Sequence, residues 1–113
     1  TEIDYFNGYS CMAYPGSELH RQAAQNNPEY LPENNEAGWL GYSQHSYECY
    51  PLPTNNLKNW EVLKFRDEAF MRYFTNPEYV DRMVSKFGDS FKQEMDRMLA
   101  ITLPRKIVEE NAS

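Results

Sequence analysis

The chain has 113 residues, 41% of them apolar, and a formal charge of -6. That length supports one modest core, either a whole small domain or a piece of a larger protein. The acidic balance repels phosphate backbones, and the only basic pair, Arg105-Lys106, is too short to offset it, so nucleic-acid binding is not expected.

The first predicted element is a strand. Ile3 to Tyr14 mixes aromatic and β-branched residues and stops at Pro15-Gly16, a turn signal. Ser17 then caps a short helix over ELHRQAAQNN, which Asn-Asn-Pro terminates. The polar run NNPEYLPENNEAG, with two prolines, predicts loop.

Gly41 to Asn56, GYSQHSYECYPLPTNN, has neither helical period nor strand alternation. Pro51 and Pro53 favour an extended connector. Its tyrosines are expected to cover the helices and leave their hydroxyls toward water.

Three amphipathic helices follow. The first covers Leu57 to Phe74, with Val62, Ala69 and Tyr73 on one side and Leu63, Phe70 and Phe74 beside them. Arg66 interrupts that stripe, and an ion pair with Asp67, Glu68 or a loop carboxylate is expected. Lys58 stands where a Ser or Thr cap would, which shifts the expected cap to Asn55 or Asn56. Asn76-Pro77-Glu78 restarts a helix with Tyr79, Val80, Met83, Val84 and Phe87 in its stripe, ended by Gly88. Asp89 is expected to cap the third, whose face is Phe91, Met95, Met98, Leu99 and Thr102. Pro104 closes it, and Arg105 to Ser113 reads as a short frayed helix or tail.

The expected fold is mainly α. It comprises an N-terminal extended segment (1–16), a short helix with an irregular aromatic connector (17–56) and a compact helical C-terminal unit (57–113).

Candidate chemistry is sparse. Cys11, His20, His45 and Cys49 are zinc-type ligands, but their spacing matches no structural zinc site; only His45-x-x-x-Cys49 is close in sequence, in a segment without helical period. Cys49 with His45 or His20 meets the nucleophile–base requirement by residue type alone. There is no nucleophile elbow and no glycine-rich phosphate loop. The aromatic and methionine stripes read as core. Bottom-up, no complete active site assembles. No run approaches the roughly 18–20 apolar residues of a membrane span. The N-terminus lacks signal-peptide regions, and two cysteines are few, so a cytoplasmic chain with reduced thiols is the expectation.

Several stretches recur in a known order: Cys11-Met12-Ala13-Tyr14-Pro15-Gly16-Ser17-Glu18-Leu19, Trp39-Leu40-Gly41-Tyr42-Ser43-Gln44-His45 and Leu52-Pro53-Thr54, then Glu61 to Phe70, Tyr73-Phe74-Thr75-Asn76-Pro77 and Lys86-Phe87-Gly88. In this order they resemble the C-terminal region of cobalamin-binding radical S-adenosylmethionine enzymes of the anaerobic magnesium-protoporphyrin monomethyl ester oxidative cyclase type. The likeness runs from about Tyr9 to Lys106.

The resemblance implies that Ala13 to Ser17 follows the last strand of a partial barrel and that the rest is a helical extension. The parent enzyme would carry a [4Fe–4S] cluster, S-adenosylmethionine and cobalamin on upstream domains, with which this region would pack to complete the barrel and shape the substrate cavity. No catalytic residue and no metal ligand carries over, since Cys11 and Cys49 cannot supply the three thiolates of the cluster. His45 and Tyr47 are the substrate-binding candidates, in the intact enzyme only.

The orphaned first strand would be irregular, pinned to the helices by its aromatics, or paired with a second copy of the chain, a self-association through the N-terminal segment. The alternative reading is an autonomous acidic helical module that binds a protein partner through exposed aromatics.

Overall fold

A computed structural model describes residues 4–112. The fold is mainly α, with five helices and, among the described residues, no strand. They are α1 (Glu18–Asn26), α2 (Asn59–Phe74), α3 (Pro77–Phe87), α4 (Asp89–Leu99) and α5 (Lys106–Asn111). Backbone proximity divides the chain into two compact units.

Of the described residues, one unit comprises 4–8 and 66–102, with the C-terminal half of α2, α3 and α4. Its core is Phe74, Tyr79, Met83 and Met95, flanked by Phe70, Val80, Phe91 and Leu99. Burying aromatics and methionines of this size is worth about 1.5–3 kcal/mol each. The helix boundaries follow local chemistry. The Asn76 side chain accepts from the Glu78 N–H, Pro77 fills the first helical position, and Gly88 at φ 86° ends α3. Gly88 is also the residue before α4; Asp89 lies inside that helix and supplies charge to its first turn instead of capping it, contrary to expectation. Thr102 lies beyond the end of α4 and is exposed.

The predicted strand is corrected. Ile3 lies outside the described residues, and Asp4 to Tyr14 forms no ladder. Without a neighbouring strand the backbone of this segment turns to side chains for partners. In the first unit, Tyr79 donates to the Asp4 carbonyl at 2.5 Å and Arg66 Nε to the Gly8 carbonyl at 2.7 Å. The Phe6 ring lies against Phe70, Tyr73 and Phe74, with centroids 5.2–6.5 Å away, so the aromatics pin the segment to the helices as expected. Arg66 pairs with Asp67 at 3.0 Å and lies over the Phe70 ring, the ion-pair role expected of it.

The other unit comprises residues 9–65 and 103–112. Its core is Met12, Cys49, Leu63 and Ile107, with Tyr42, Tyr50, Trp60 and Val108 packed around it. The turn before α1 is built from Pro15 and Gly16 at φ 91°, closed by Ser17 N–H to the Tyr14 carbonyl at 3.1 Å. Ser17 Oγ then accepts from His20 N–H, as a helix cap should.

The run expected to be loop holds two 3₁₀ turns, Pro28–Tyr30 and Pro32–Asn34, each opened by proline at its first position, followed by a third at Gly38–Tyr42. Helix α2 begins at Asn59, two residues later than expected. Lys58 is its cap: its carbonyl accepts from Glu61 and Val62 N–H, while Glu61 reaches back to the Lys58 N–H at 3.1 Å. Neither Asn55 nor Asn56 supplies it. Thr54 Oγ1 organises the approach by accepting from Leu57 N–H at 2.9 Å. The expected frayed tail is helix α5, anchored through buried Ile107; Ser113 lies outside the described residues.

Candidate functional site

His45 and Tyr47 lie in two consecutive tight turns, 43–46 and 46–49, closed by Ser46 N–H to the Ser43 carbonyl and Cys49 N–H to the Ser46 carbonyl, each at 3.3 Å. Both side chains are exposed. The turns are held from behind by Arg105, only 3% exposed, whose Nη1 donates to the Gln44 carbonyl at 2.7 Å and the Ser46 carbonyl at 3.0 Å. Lys106 N–H adds a bond to the Tyr47 carbonyl at 2.9 Å. The Tyr47 hydroxyl donates to Glu109 Oε2 at 2.7 Å, and that carboxylate holds the hydroxyl protonated above its ordinary range. The connector's tyrosines therefore do not all leave their hydroxyls to water. Two of them, Tyr42 and Tyr47, are tied to carboxylates.

The densest polar constellation is one the sequence did not mark. Glu33, in the second 3₁₀ turn, accepts from Tyr42 Oη at 2.5 Å and contacts His20 Nε2 at 2.7 Å. It thereby ties α1 and the third 3₁₀ turn to the second. Burial pushes the Glu33 carboxyl up, but the two partners outweigh it and hold it below the usual carboxylate range. Burial, and then the adjacent carboxylate, push the Tyr42 hydroxyl well above the usual phenol range. General acid–base work needs a pKa near the operating pH. The acid and the phenol are driven away from neutrality in opposite directions, and the pair serves as a buttress that joins three elements.

Tyr42 is also the middle of a run of three rings. Trp39 stacks on one side at 6.0 Å between centroids, and Tyr14 lies at 5.8 Å. Gln44 Nε2 donates to the Tyr14 hydroxyl at 3.0 Å. The turn that presents Trp39 is fixed by Gly41, where a Cβ would lie 2.9 Å from Pro32 Cγ and closer still to Pro32 Cβ. Only glycine permits that approach.

The zinc-type ligands do not converge. Cys49 is fully buried in the core, Cys11 is exposed, both are thiols outside any disulfide, and His20 is engaged by Glu33. Among the described residues no group of three or more His, Cys, Asp or Glu forms a metal-ligand set. A nucleophile at Cys49 is likewise shut off from substrate. Glu33 and Arg105 escaped the sequence reading because their partners lie outside any local window, 9 and 13 residues away for Glu33 and 59 and 61 for Arg105. The one local signal for Glu33 was the proline before it.

No protein-family model, curated protein or solved structure matches the chain. No helix among the described residues is long and apolar enough to cross a membrane.

Proposed function

We propose that this chain is the C-terminal, non-catalytic region of a cobalamin-dependent radical S-adenosylmethionine enzyme of the oxidative cyclase or methyltransferase type. In the intact protein it completes the barrel and helps shape the substrate cavity. The reading rests on the resemblance carried by the ordered stretches from about Tyr9 to Lys106. It is supported by the way Asp4, Gly8 and Ser10 meet backbone needs with the side chains of Tyr79, Arg66 and Gln44, as an orphaned sheet edge would.

This chain's own residues do not fit the cluster. A [4Fe–4S] centre of this type needs three cysteine thiolates, and the chain has two cysteines, one fully buried and one exposed. The cluster, S-adenosylmethionine and cobalamin are assigned to upstream domains, which are the partners of this region. His45 and Tyr47, on their clamped turns, are the residues offered to substrate. Reading the open reading frame upstream of Thr1 tests the assignment. A C-x-x-x-C-x-x-C motif within the preceding ~200 residues is expected, the distance following ordinary domain size. An upstream frame without one contradicts it.

The second reading, an acidic helical interaction module, is favoured by one observation. Trp39 and Leu40 are consecutive and 68% and 59% exposed, so two large apolar side chains stand side by side at the surface.

A further inference from the structure

We propose that Trp39, backed by Tyr42 and Tyr14, is a docking point for an arginine-bearing peptide segment of a protein partner. The proposal concerns the surface of the chain and does not depend on the radical-enzyme reading.

The first argument is preorganisation. Trp39 is exposed over most of its surface yet is not left loose: it stacks on Tyr42, whose hydroxyl is fixed on Glu33. The turn beneath it is set by Gly38 at φ 60° and by the close fit of Gly41 on Pro32. A large ring held in place at the surface loses little conformational freedom when a partner arrives. Tryptophan is also among the residues that most often dominate binding energy at protein interfaces.

The second argument is charge. Residues 22–57 contain Glu29, Glu33, Glu36 and Glu48 and no lysine or arginine. Glu36, three positions before Trp39, has a side chain 90% exposed, with Lys106 Nζ 3.2 Å from its Oε2 as the one cation that pairs with it among the described residues. A partner that covers Trp39 therefore meets an acidic neighbourhood, which favours cations and repels acidic segments. An aromatic face beside carboxylates suits guanidinium above other cations, because its plane stacks on the ring while its edges donate to oxygen.

The test is calorimetric titration of the chain with an acetylated peptide of alternating arginine and leucine. Controls replace every arginine by citrulline or by glutamate. Saturable binding of the arginine peptide is expected, weakening about tenfold or more with citrulline and with Trp39→Ala. Raising salt from about 50 to 500 mM is expected to weaken it further. Glu36→Gln, at an exposed position, is expected to lower affinity about two- to fivefold, and it serves if Trp39→Ala is poorly folded. Several results would overturn the proposal. One is equal affinity of the Trp39→Ala chain or of the glutamate peptide. Another is equal affinity of a folded Glu36→Gln chain at low salt. The third is a sedimentation profile in which Trp39 is covered by a second copy and the arginine peptide does not bind.

Discussion

The Gln44 carboxamide grips both backbone polar groups of Ser10. Its Oε1 accepts from the Ser10 N–H at 3.1 Å, and its Nε2 donates to the Ser10 carbonyl at 2.9 Å. A neighbouring strand would make the same two bonds. The side chain stands in for a missing peptide across 34 residues of sequence and satisfies the backbone of a residue only 6% exposed.

Gln44→Ala is therefore expected to destabilise the chain by about 2 kcal/mol, the usual cost of stranding buried polar groups. Urea denaturation measures it. Ser10→Ala should behave oppositely. The Ser10 hydroxyl is buried and, among the described residues, has no hydrogen-bond partner, so its removal is expected to be neutral or stabilising.

Glu33 gives the chain a pH signature. Its folded carboxyl titrates below its unfolded value, so its contribution is fully present above about pH 4.5, the ordinary carboxyl value. That contribution is lost as pH falls from there through the lower folded pKa. Glu33→Gln is expected to flatten this part of the acid limb in thermal melts. Tyr42 has the reverse sign. Its folded pKa is raised, so its contribution is complete below about pH 10 and is lost as pH rises toward the folded value. Tyr42→Phe is expected to soften the alkaline limb. Unchanged limbs in both variants would deny the hub any energetic role.

Arg105 is the clamp behind the His45–Tyr47 turns. Arg105→Ala removes both charge-assisted bonds from a buried position and is expected to cost about 3 kcal/mol. Arg105→Lys should recover only part of this, since a single ammonium cannot copy the guanidinium geometry. Hydrogen exchange of the amides in residues 43–49 is expected to accelerate in both variants, most in the alanine one.

Gly41→Ala tests the turn under Trp39. The added methyl would overlap Pro32, and overpacking of this kind costs about 1–3 kcal/mol. Thermal melting measures the loss. A shift within error would mean that the two 3₁₀ turns can separate at little cost.

Features written in short, local signals were readable in advance. Ser17, the Asn76-Pro77 pair and Gly88 each fix a helix end by the chemistry of one or two residues. The stripes of α2, α3 and α4 were legible except at their ends, because a 3.6-residue period needs no knowledge of what lies opposite: Phe87, expected in the core, is 57% exposed, and Thr102 is exposed beyond α4. The cap at Lys58 was misplaced because Glu61 does the capping from inside the helix. The strand over Asp4 to Tyr14 was misread because β-propensity describes a fit to a sheet, and no sheet lies among the described residues. The Glu33 hub and the Arg105 clamp depend on partners far apart in sequence, which no local pattern encodes.

The central claim is that this region belongs to a radical enzyme whose metal centres lie elsewhere in the same polypeptide. Iron and cobalt analysis of the intact protein, purified without oxygen, tests it most directly when run beside the Cys11→Ser/Cys49→Ala double variant. About four irons per chain are expected, as a [4Fe–4S] cluster requires, together with bound cobalt, and the same iron content in the double variant. An intact protein without iron, or loss of its iron when these two cysteines are replaced, would contradict it.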